Sequence, residues 1–451
     1  MRVLFNLGEP EQIRLFRPVL RELVARGHSL QVAFTDPDKG DLPAATAALR
    51  ALGAVVEATP LRRDDPAGAW FRAVRGAMDY VRLLHPRFRS ARVLRARIAG
   101  QFPRWAQPVG ALASLPAPAV AGLLCVLGWL EHRAGSHPAI AARIAAARPG
   151  LVVVAPLVTP AAPQADVLAT CHAMGIPCAA AVASWDNLTN KGLIHGDPDA
   201  VLVWNAQQQH EAVHLHGVPE GRVLAVGAPV LDAWLDRHVT RSSAEIGMAF
   251  GLDAGRPYLL YVCSSHHIVA DKEPDFVRSW ITALRSSASP AVRAVQVVVR
   301  PHPDNMEHWY TGALAGMADV QVWPEACLRQ DEPGEQLYFD VVSRSRAIVG
   351  INTTAMLEGS LTGRPVFTVA APEFSRTQGA LPHFEHLTGA GFVSLAATMA
   401  EHVAQLALVC ATPDTCSGGP NPAALAFVRF GAGPATTTFV DTLERLAAQP
   451  A

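Results

Sequence analysis

Four polar segments carry side chains that could do chemistry, and each directly follows a short apolar run. Polar loops that follow buried strands are where open α/β sheets bind ligands, because the carboxyl ends of parallel strands lie along one edge. The pattern therefore predicts a ligand site built from loops. The segments are Asn6-Leu7-Gly8-Glu9-Pro10-Glu11, Ser264-Ser265-His266-His267, Arg300-Pro301-His302-Pro303 and Gly350-Ile351-Asn352-Thr353-Thr354-Ala355-Met356-Leu357-Glu358.

The first segment combines a tight turn with carboxylates. Gly8 lets the backbone turn, and Glu9 is placed where a general base for an acceptor hydroxyl could stand. The alternative is that Glu9 and Glu11 only favour the start of the following helix through its dipole. This alternative is the better interpretation of Glu11, and Glu9 remains open to both.

The second and third segments suit a phosphate-bearing donor. Ser264, Ser265 and His266 offer short hydroxyls and an imidazole, although they could also be polar loop residues without a ligand. Two prolines hold His302 rigid beside Arg300, and its imidazole could meet a diphosphate and offset charge as a nucleotide leaves. The alternative for His302 is a structural histidine at a strand end.

The fourth segment opens a helix. Thr353 and Thr354 follow Asn352 at the helix start, where unpaired backbone N–H groups form an anion site. Glu358 lies one turn into the helix, where its carboxylate could bind both hydroxyls of a ribose. N-capping by the threonines is compatible with this interpretation.

The elements that must position these segments alternate between strands and helices. Two α/β units are predicted, each a Rossmann-like doubly wound sheet. The first covers residues 1–237 with a helical insertion at about 66–149, the second covers 238–434, and a last helix covers 435–451. The expected strands are 2–7, 30–34, 54–57, 151–155, 178–183, 200–204, 222–226, 258–263, 295–299, 320–323, 347–349 and 366–369.

The insertion predicts a helix with an apolar stripe, and its arginines are assigned to the polar side. With few acids to balance it, residues 70–104 could dock on anionic lipid or on a polyanionic acceptor. Alternatively the insertion packs on the first domain with solvated arginines. Residues 119–130 are apolar and could be buried or lie in an interface. The stripe is Trp70, Val74, Ala77, Val81 and Leu84, and the arginines are Arg72, Arg75, Arg82, Arg87, Arg89, Arg92, Arg95, Arg97 and Arg104.

Composition excludes several classes of function. The 451 residues carry a formal net charge of -1, so no global field attracts nucleic acid. The seven cysteines include no C-x-x-C pair and are expected to be reduced, and no apolar run approaches a membrane span. A cytoplasmic protein is therefore expected. The motifs of zinc proteases, P-loop NTPases, serine hydrolases and G-x-G-x-x-G dinucleotide sites do not occur.

Taken in order along the chain, these segments resemble the GT-B glycosyltransferase superfamily. The branch in question includes CDP-glycerol glycerophosphotransferases and the UDP-N-acetylglucosamine 2-epimerase fold. The resemblance rests on the opening strand–loop–helix, on residues 223–232, on Arg300–Pro303, on Thr353–Glu358 and on 363–366. Ser184–Gly192 is similar to an element of related transferases, which makes Asp186 and Asn187 acceptor-side candidates, and Asp186 the second candidate base.

This resemblance implies two domains facing across a cleft, with the nucleotide in the second and the acceptor in the first. His302 would contact the diphosphate, Thr353 and Thr354 a phosphate, and Glu358 the ribose, with neither metal nor other cofactor. The last helix would return to the first domain. The implied activity transfers a glycosyl or polyol-phosphate group from a nucleotide-sugar or CDP-polyol donor to a lipid-linked or saccharide acceptor. Such a step belongs to surface polysaccharide or glycolipid synthesis at the inner membrane face.

Two alternatives remain. An epimerase of this fold would carry Arg-Pro-Glu where this chain has Ala371-Pro372-Glu373, which makes a sugar-nucleotide epimerase the second hypothesis. The third is a protein that binds a nucleotide sugar without turnover.

Overall fold

The computed structural model describes residues 1–102, 114–269, 271–328, 331–413 and 419–448. The chain divides into two compact units, one formed by Met1–Ala233 with Phe427–Ala451 and the other by Trp234–Ala426. Each unit contains one fully parallel sheet whose strands are connected by helices. The predicted class, α/β with two doubly wound sheets, is confirmed.

The first sheet has seven strands in the order β3-β2-β1-β4-β5-β6-β7. Its order reverses direction between β1 and β4, and such a switch point is where doubly wound sheets bind ligands. The strands are β1 Arg2–Leu7, β2 Ser29–Phe34, β3 Val55–Glu57, β4 Leu151–Ala155, β5 Cys178–Ala181, β6 Ala200–Val203 and β7 Val223–Ala225.

Both faces of this sheet are covered. Every residue of β4 is buried, and alternate residues face different cores: Val153 packs in one apolar cluster, and Val152 and Val154 pack in another. A continuous run of buried β-branched residues is typical of a central parallel strand. The apolar run at the start of the chain forms β1 for the same reason.

The described residues contain twenty α-helices. Several begin at a side chain that caps them: Asp65 accepts from the Gly68 N–H at 2.8 Å, and Asn205 accepts from the Gln208 N–H at 3.0 Å. The helices are α1 Ile13–Ala25, α2 Leu42–Ala51, α3 Pro66–Arg82, α4 Arg92–Ala99, α5 Ala117–Glu131, α6 Pro138–Ala147, α7 Ala165–Ala173, α8 Asn187–Asn190, α9 Ala206–His216, α10 Asp232–Asp236, α11 Ser243–Phe250, α12 His266–Val269, α13 Glu273–Arg285, α14 Pro290–Arg293, α15 Glu332–Arg344, α16 Thr354–Leu361, α17 Phe384–Gly389, α18 Met399–Ala411, α19 Pro422–Val428 and α20 Ala435–Ala448.

Helix α20 belongs to the first unit although it follows the second unit in sequence. Phe439, Val440 and Leu443 are buried in the same apolar cluster as Phe16 of α1. The rings of Phe16 and Phe439 lie 6.4 Å apart. The first unit therefore takes its core from both ends of the sequence.

The insertion at 66–149 contains helices α3 to α6 and, in its described residues, no strand. The assignment of its arginines to a solvated polar side is wrong for three of them. Arg75, Arg82 and Arg95 are buried, because each guanidinium finds acidic or carbonyl partners inside the unit. Arg104 lies outside the described residues. The predicted apolar stripe is also wrong at Trp70, whose side chain is 58% exposed.

The second sheet has six strands in the order β10-β9-β8-β11-β12-β13. Its order reverses between β8 and β11, so this unit repeats the switch point of the first. All twelve predicted strands begin within one residue of an observed one. The strands of this sheet are β8 Tyr258–Val262, β9 Gln296–Arg300, β10 Val320–Val322, β11 Ala347–Gly350, β12 Val366–Val369 and β13 Val393–Ala396.

Strand β13 is the one that the sequence analysis missed. It lies at the edge of the second sheet, and Ser394 and Leu395 are exposed. A four-residue edge strand with two exposed positions lacks the buried apolar run by which the other strands were found.

Candidate functional site

The carboxyl edge of the second sheet brings three predicted segments together. Arg300, at the end of β9, pairs in register with Val262 of β8, and Val262 pairs with Gly350 of β11. The three strands therefore end at the same level. The loops that follow them carry the predicted serines, His302 and the threonines.

At the switch point between β8 and β11, two predicted residues bond to each other. The Asn352 N–H donates to Ser264 Oγ over 3.3 Å, and Ser264 is fully buried. The Asn352 side chain lies 3.1 Å from Nε2 of His383 and donates to the Thr377 carbonyl at 3.3 Å. Ser264 and Asn352 thus hold the two loops in place, whereas Ser265 and His266 are partly or fully exposed.

A buried carboxyl that the sequence analysis missed supports this junction. Glu273 lies in the first turn of α13, and both of its oxygens are 3.1 Å from the Ser264 N–H. The Tyr261 hydroxyl donates to Oε1, also over 3.1 Å. Burial raises the pKa of the Glu273 carboxyl to about 8, although these hydrogen bonds favour its ionised form. An acid in a first helical turn resembles an ordinary dipole partner in sequence, so nothing there indicated its burial.

Helix α16 begins at the switch point. Thr353 is its N-cap and is nearly buried, with no hydrogen bond from its own side chain to the helix start. One turn later, Glu358 accepts through Oε2 from the Tyr338 hydroxyl at 2.9 Å. The indole N–H of Trp234 donates to the Glu358 carbonyl at 2.8 Å. The predicted ribose-binding carboxylate is therefore bonded by Tyr338, and the backbone of the same residue is bonded by Trp234, two aromatic residues that sequence reasoning had not selected.

Arg300 is a cation held by stacking. Its guanidinium lies 3.8 Å from the centre of the Tyr338 ring and 5.7 Å from that of Trp323. Among the described residues no carboxylate lies within 4.0 Å of it, and its buried Nε has no hydrogen-bond partner. Guanidinium groups normally bind carboxylates or phosphates through several N–H donors. Arg300 is thus oriented by aromatic rings and, within the described part of the chain, is paired with no carboxylate.

His302 follows Arg300 by two residues and is about a quarter exposed. Its Nδ1 accepts a hydrogen bond from the Asp304 N–H over 3.1 Å. A neutral imidazole that accepts at Nδ1 carries its proton on Nε2, which is the form able to donate to an anionic oxygen. His266 lies at the neighbouring loop with its ring 3.7 Å from that of His267, and both are exposed.

The first unit has its own carboxyl edge, where β1 leads into the loop of Gly8 and Glu9. Gly8 donates to the Ala155 carbonyl at 3.1 Å, which ties this loop to the end of β4 across the switch point. The Glu9 carboxylate lies 3.3 Å from the Lys39 ammonium, and its backbone N–H donates to Gln12 Oε1 at 3.1 Å. Glu9 is partly exposed and has a cationic neighbour that the sequence analysis did not identify.

The Ser184–Gly192 loop lies at the same edge, after β5. Asp186 accepts from Ser184 Oγ at 2.7 Å and from the Asn190 side chain at 3.0 Å. Asn187 is buried and its side chain lies 3.3 Å from Asp186. The Asp186 carboxylate is therefore engaged by its own loop.

Two arginines of the insertion donate hydrogen bonds to the Ser184–Gly192 loop. Arg82 of α3 donates to the Leu188 carbonyl at 3.1 Å and also to that of Lys191. Arg97 of α4 donates to Asn190, reaching Oδ1 at 2.8 Å. Guanidinium groups that donate to backbone carbonyls hold the Ser184–Gly192 loop in position. Some arginines of these helices therefore have a structural role, and others contribute surface charge.

A buried charged cluster underlies the same region. Asp79 of α3 accepts from the Ala161 N–H at 2.7 Å, from the Leu193 N–H at 2.6 Å and from His195 Nε2 at 3.0 Å. Burial lowers the pKa of His195, but the carboxylates of Glu131 and Asp79 outweigh it and raise that pKa to about 9. Asp79 therefore bonds both to the segment that follows β4 and to the residue that follows the Ser184–Gly192 loop.

Comparison with known protein families gave no match, and comparison with curated proteins gave none. Solved structures do match. The chain is similar to a glycosyltransferase from Rickettsia africae, with a TM-score of 0.58 at 9% identity, covering 99% of both chains. It is similar to a UDP-N-acetylglucosamine 2-epimerase of Listeria monocytogenes that is described as putative, with a TM-score of 0.57 at 11% identity, covering 98% of this chain and 95% of that one.

A third similar structure is the UDP-GlcNAc 2-epimerase of Methanocaldococcus jannaschii in complex with UDP-GlcNAc and UDP. Its TM-score is 0.53 at 12% identity, and the match covers 99% of this chain and all of the other. Likeness at such low identity concerns the fold. The chain therefore has the GT-B-like two-domain α/β fold that these glycosyltransferase and epimerase structures share.

Proposed function

We propose that this protein is a transferase that binds a nucleotide-activated donor at the carboxyl edge of the second sheet. The observation that carries the proposal is Arg300, a guanidinium stacked on aromatic rings and paired with no carboxylate of the described residues, which ends the strand that leads to His302. Glycosyltransferases and UDP-GlcNAc 2-epimerases share the fold, and one such structure is a complex with UDP-GlcNAc and UDP. A nucleoside diphosphate is the ligand class that these points favour.

The residues of this edge would divide the donor among them. Arg300 and the Nε2 proton of His302 would meet the diphosphate, and the N–H groups that open α16 beside Thr353 and Thr354 would bind a phosphate oxygen. Glu358, already fixed by Tyr338, would bind the ribose hydroxyls. Ser264 and Asn352 would keep the two loops of this edge in place, since the Asn352 N–H donates to Ser264 Oγ.

The reaction would transfer a glycosyl or polyol-phosphate group to an acceptor hydroxyl. The acceptor oxygen forms a bond to the transferred carbon or phosphorus, the bond to the nucleotide breaks, and the nucleotide leaves with the electron pair. We propose Glu9 as the base that accepts the hydroxyl proton, because Asp186 is occupied by its own loop. Charge that develops on the leaving phosphate would be stabilised by Arg300 and His302.

Binding tests the donor site directly. A screen of UDP, GDP and CDP is expected to raise the midpoint of thermal unfolding with one of them, since a ligand of the folded state stabilises it. Arg300→Gln should weaken that nucleotide at least about tenfold, because hydrogen bonds to charged groups contribute about 1.5–3 kcal/mol. The control is Arg293→Gln, at an exposed arginine that ends α14 before β9 begins, which should bind like the wild type. No shift with any nucleotide, or equal binding by Arg300→Gln, would contradict the proposal.

Turnover separates the candidate activities. A transferase forms product only with donor and acceptor together, whereas an epimerase converts the donor alone. The epimerase remains the second candidate because structures of that activity share the fold over nearly the whole chain. A non-catalytic protein would bind the nucleotide sugar and catalyse neither reaction. Glu9→Gln would then leave binding unchanged, and His302→Ala would change only the affinity.

We further propose that the protein docks on anionic lipid through α5, which suits a lipid-linked acceptor. Among the described residues no helix is both long and apolar enough to cross a bilayer. On α5, however, Leu123, Val126 and Trp129 repeat every three residues and are 44%, 60% and 56% exposed. The helix carries no charged residue before Glu131.

The surroundings of α5 specify the charge of the lipid. Residues 66–134 contain ten arginines and two acids, Asp79 and Glu131, which are both buried and paired. Arg87, Arg89, Arg92 and Arg133 are exposed. An exposed apolar helix in a segment where arginines outnumber acids, with Arg133 stacked over Trp129 at 3.7 Å, suits contact with an anionic lipid surface.

A cavity of about 840 Å³ lies next to α5 in the first unit. Val120 and Leu124 contribute an apolar wall from the helix, and Arg82 and His216 contribute polar groups on its other side. A volume with one apolar wall beside a lipid-facing helix suits part of the hydrocarbon of a lipid-linked acceptor.

Vesicle sedimentation tests the docking. The wild type should bind vesicles that contain phosphatidylglycerol and bind phosphatidylcholine vesicles weakly. The double variant Val126→Glu/Trp129→Glu should lose at least about tenfold in affinity, because charge is costly in the lipid interface. Met248→Glu, an exposed apolar residue of the second unit, is the control. Binding to both lipids alike would contradict the preference for anionic lipid, and unchanged binding by the double variant would exclude α5 as the docking surface.

A further inference from the structure

The amino-terminal edge of the first sheet brings three metal-binding side chains together, away from the carboxyl edge. His172 lies near the end of α7, Cys178 is the first residue of β5, and Asp199 directly precedes β6. Among the described residues this is the one group of three histidine, cysteine and acidic side chains whose ligand atoms are close enough to share a metal ion. These three residues belong neither to the carboxyl edge of the second sheet, where we place the donor, nor to the loops at the carboxyl edge of the first sheet.

The ligand atoms of the group all lie within 4.8 Å of one another, and three of the distances are close to the edge of a tetrahedral site, with Asp199 contributing Oδ2 to one distance and Oδ1 to another. Cys178 Sγ lies 3.4 Å from His172 Nε2 and 3.4 Å from Asp199 Oδ2, and His172 Nε2 lies 3.5 Å from Asp199 Oδ1. Zinc binds sulfur at about 2.3 Å and nitrogen or oxygen at about 2.0–2.2 Å. Ligands at the corners of a tetrahedron with those bond lengths are separated by about 3.3–3.6 Å.

The backbone holds the three ligands in this arrangement. The Cys178 N–H donates to Asp199 Oδ2 at 2.8 Å, and the Asp199 N–H donates to the Cys178 carbonyl at 3.0 Å. Cys178 is also paired in register with Val152 of β4. A hydrogen bond to a ligating carboxylate orients it, as outer partners do in metal sites. These hydrogen bonds hold the Cys178 and Asp199 ligand atoms near each other before a metal binds.

Because two of the three ligands are exposed, water can reach the fourth coordination position. The Cys178 side chain is buried, whereas His172 and Asp199 are 35% and 46% exposed. Thiolate, imidazole and carboxylate together are a donor set that zinc accepts, and hard cations such as Mg²⁺ avoid thiolates.

We propose that His172, Cys178 and Asp199 form a zinc site with water as the fourth ligand. The site takes no part in the proposed transfer reaction, because it lies at the end of α7 and the starts of β5 and β6, at the edge opposite the loops that we assign to that reaction. The site is independent of the nucleotide proposal, so either can fail without the other.

Metal loading tests the site in the full-length protein. After removal of metal with a chelator and addition of Zn²⁺, desalted wild-type protein should retain about one equivalent, measured by mass spectrometry of the metal. Substitution with Co²⁺ should give the thiolate charge-transfer band and the intense d–d bands of a tetrahedral cobalt–sulfur site. These two readouts separate a thiolate-bound metal from adventitious surface binding.

Variants identify the ligands. Cys178→Ser should lose the cobalt–thiolate band, and His172→Ala and Asp199→Asn should each weaken Zn²⁺ at least about tenfold. Cys125→Ser, which removes an exposed cysteine elsewhere in the same unit, should load like the wild type. Circular dichroism establishes that each variant is folded, and the two exposed ligands provide variants that do not disturb the core. Retention of less than about a tenth of an equivalent by the wild type, or equal loading of all ligand variants, would overturn the site.

Discussion

Glu273→Gln is expected to stabilise the second unit, and by more as the pH rises. The Glu273 carboxyl is fully buried, and its pKa is raised from 4.5 to about 8. Between these values the unfolded chain releases the proton while the folded chain keeps it. The wild type therefore loses about 1.4 kcal/mol of stability per pH unit, or about 5 kcal/mol over the interval. The stability that the wild type has with a protonated Glu273 is fully present below pH 4.5 and is lost as the pH rises past 8.

Glutamine reproduces the protonated carboxyl without titrating. Its carbonyl oxygen can accept from Tyr261 and from the Ser264 N–H, as the carboxyl does now. Chemical denaturation of both proteins at pH 5, 6.5 and 8 measures the effect as a difference in the free energy of unfolding. That difference should grow with pH, and Glu307→Gln, an exposed change in the same unit, should give none. A difference independent of pH would show that Glu273 is already ionised in the folded protein.

Asp79→Ala is expected to destabilise the first unit by about 3–5 kcal/mol. The substitution leaves the buried N–H groups of Ala161 and Leu193 without their acceptor and removes one of the two carboxylate partners of His195, the other being Glu131. Breaking a buried ion pair by removing one member has a cost of this size, because the remaining charge stays buried. The same change should loosen the segment that follows β4 and the residue that follows the Ser184–Gly192 loop.

Two measurements check this result. Denaturation gives the free energy of unfolding, and hydrogen exchange should show faster exchange at Ala161 and Leu193 than at strand β4. Asp79→Asn keeps the shape and one acceptor oxygen, so its cost should be smaller than that of Ala. Asp64→Ala, at a side chain that is 83% exposed, is the control. A loss below about 1 kcal/mol in Asp79→Ala would mean that the cluster contributes little.

The sequence allowed the strands to be predicted because buried parallel strands leave a local signal. Runs such as Leu151–Ala155 are apolar at every position, and the polar residues that follow them mark the carboxyl edge. The positions of Arg300, His302 and Glu358 along one edge follow from that pattern. Strand β13 has no such run, so it was missed.

What the sequence could not provide was the environment of individual charged groups. Arg75 and Arg82 look like surface arginines at helical spacing, and only the folded chain shows their partners Asp166 and Leu188. Glu273 and Tyr338 support the site through contacts that join distant segments. The predicted assignments at Ser264 and Glu9 remain predictions, now with Asn352 and Lys39 as neighbours that variants can address.

The position of α20 in the core of the first unit has a consequence for synthesis on the ribosome. Phe439 and Leu443 leave the ribosome only after the whole of Trp234–Ala426 has been translated. The second unit is continuous in sequence and can fold as soon as it emerges. The first unit begins earlier but waits for its final helix with the face of α1 uncovered, so the half of the chain that is made first is the half that matures last.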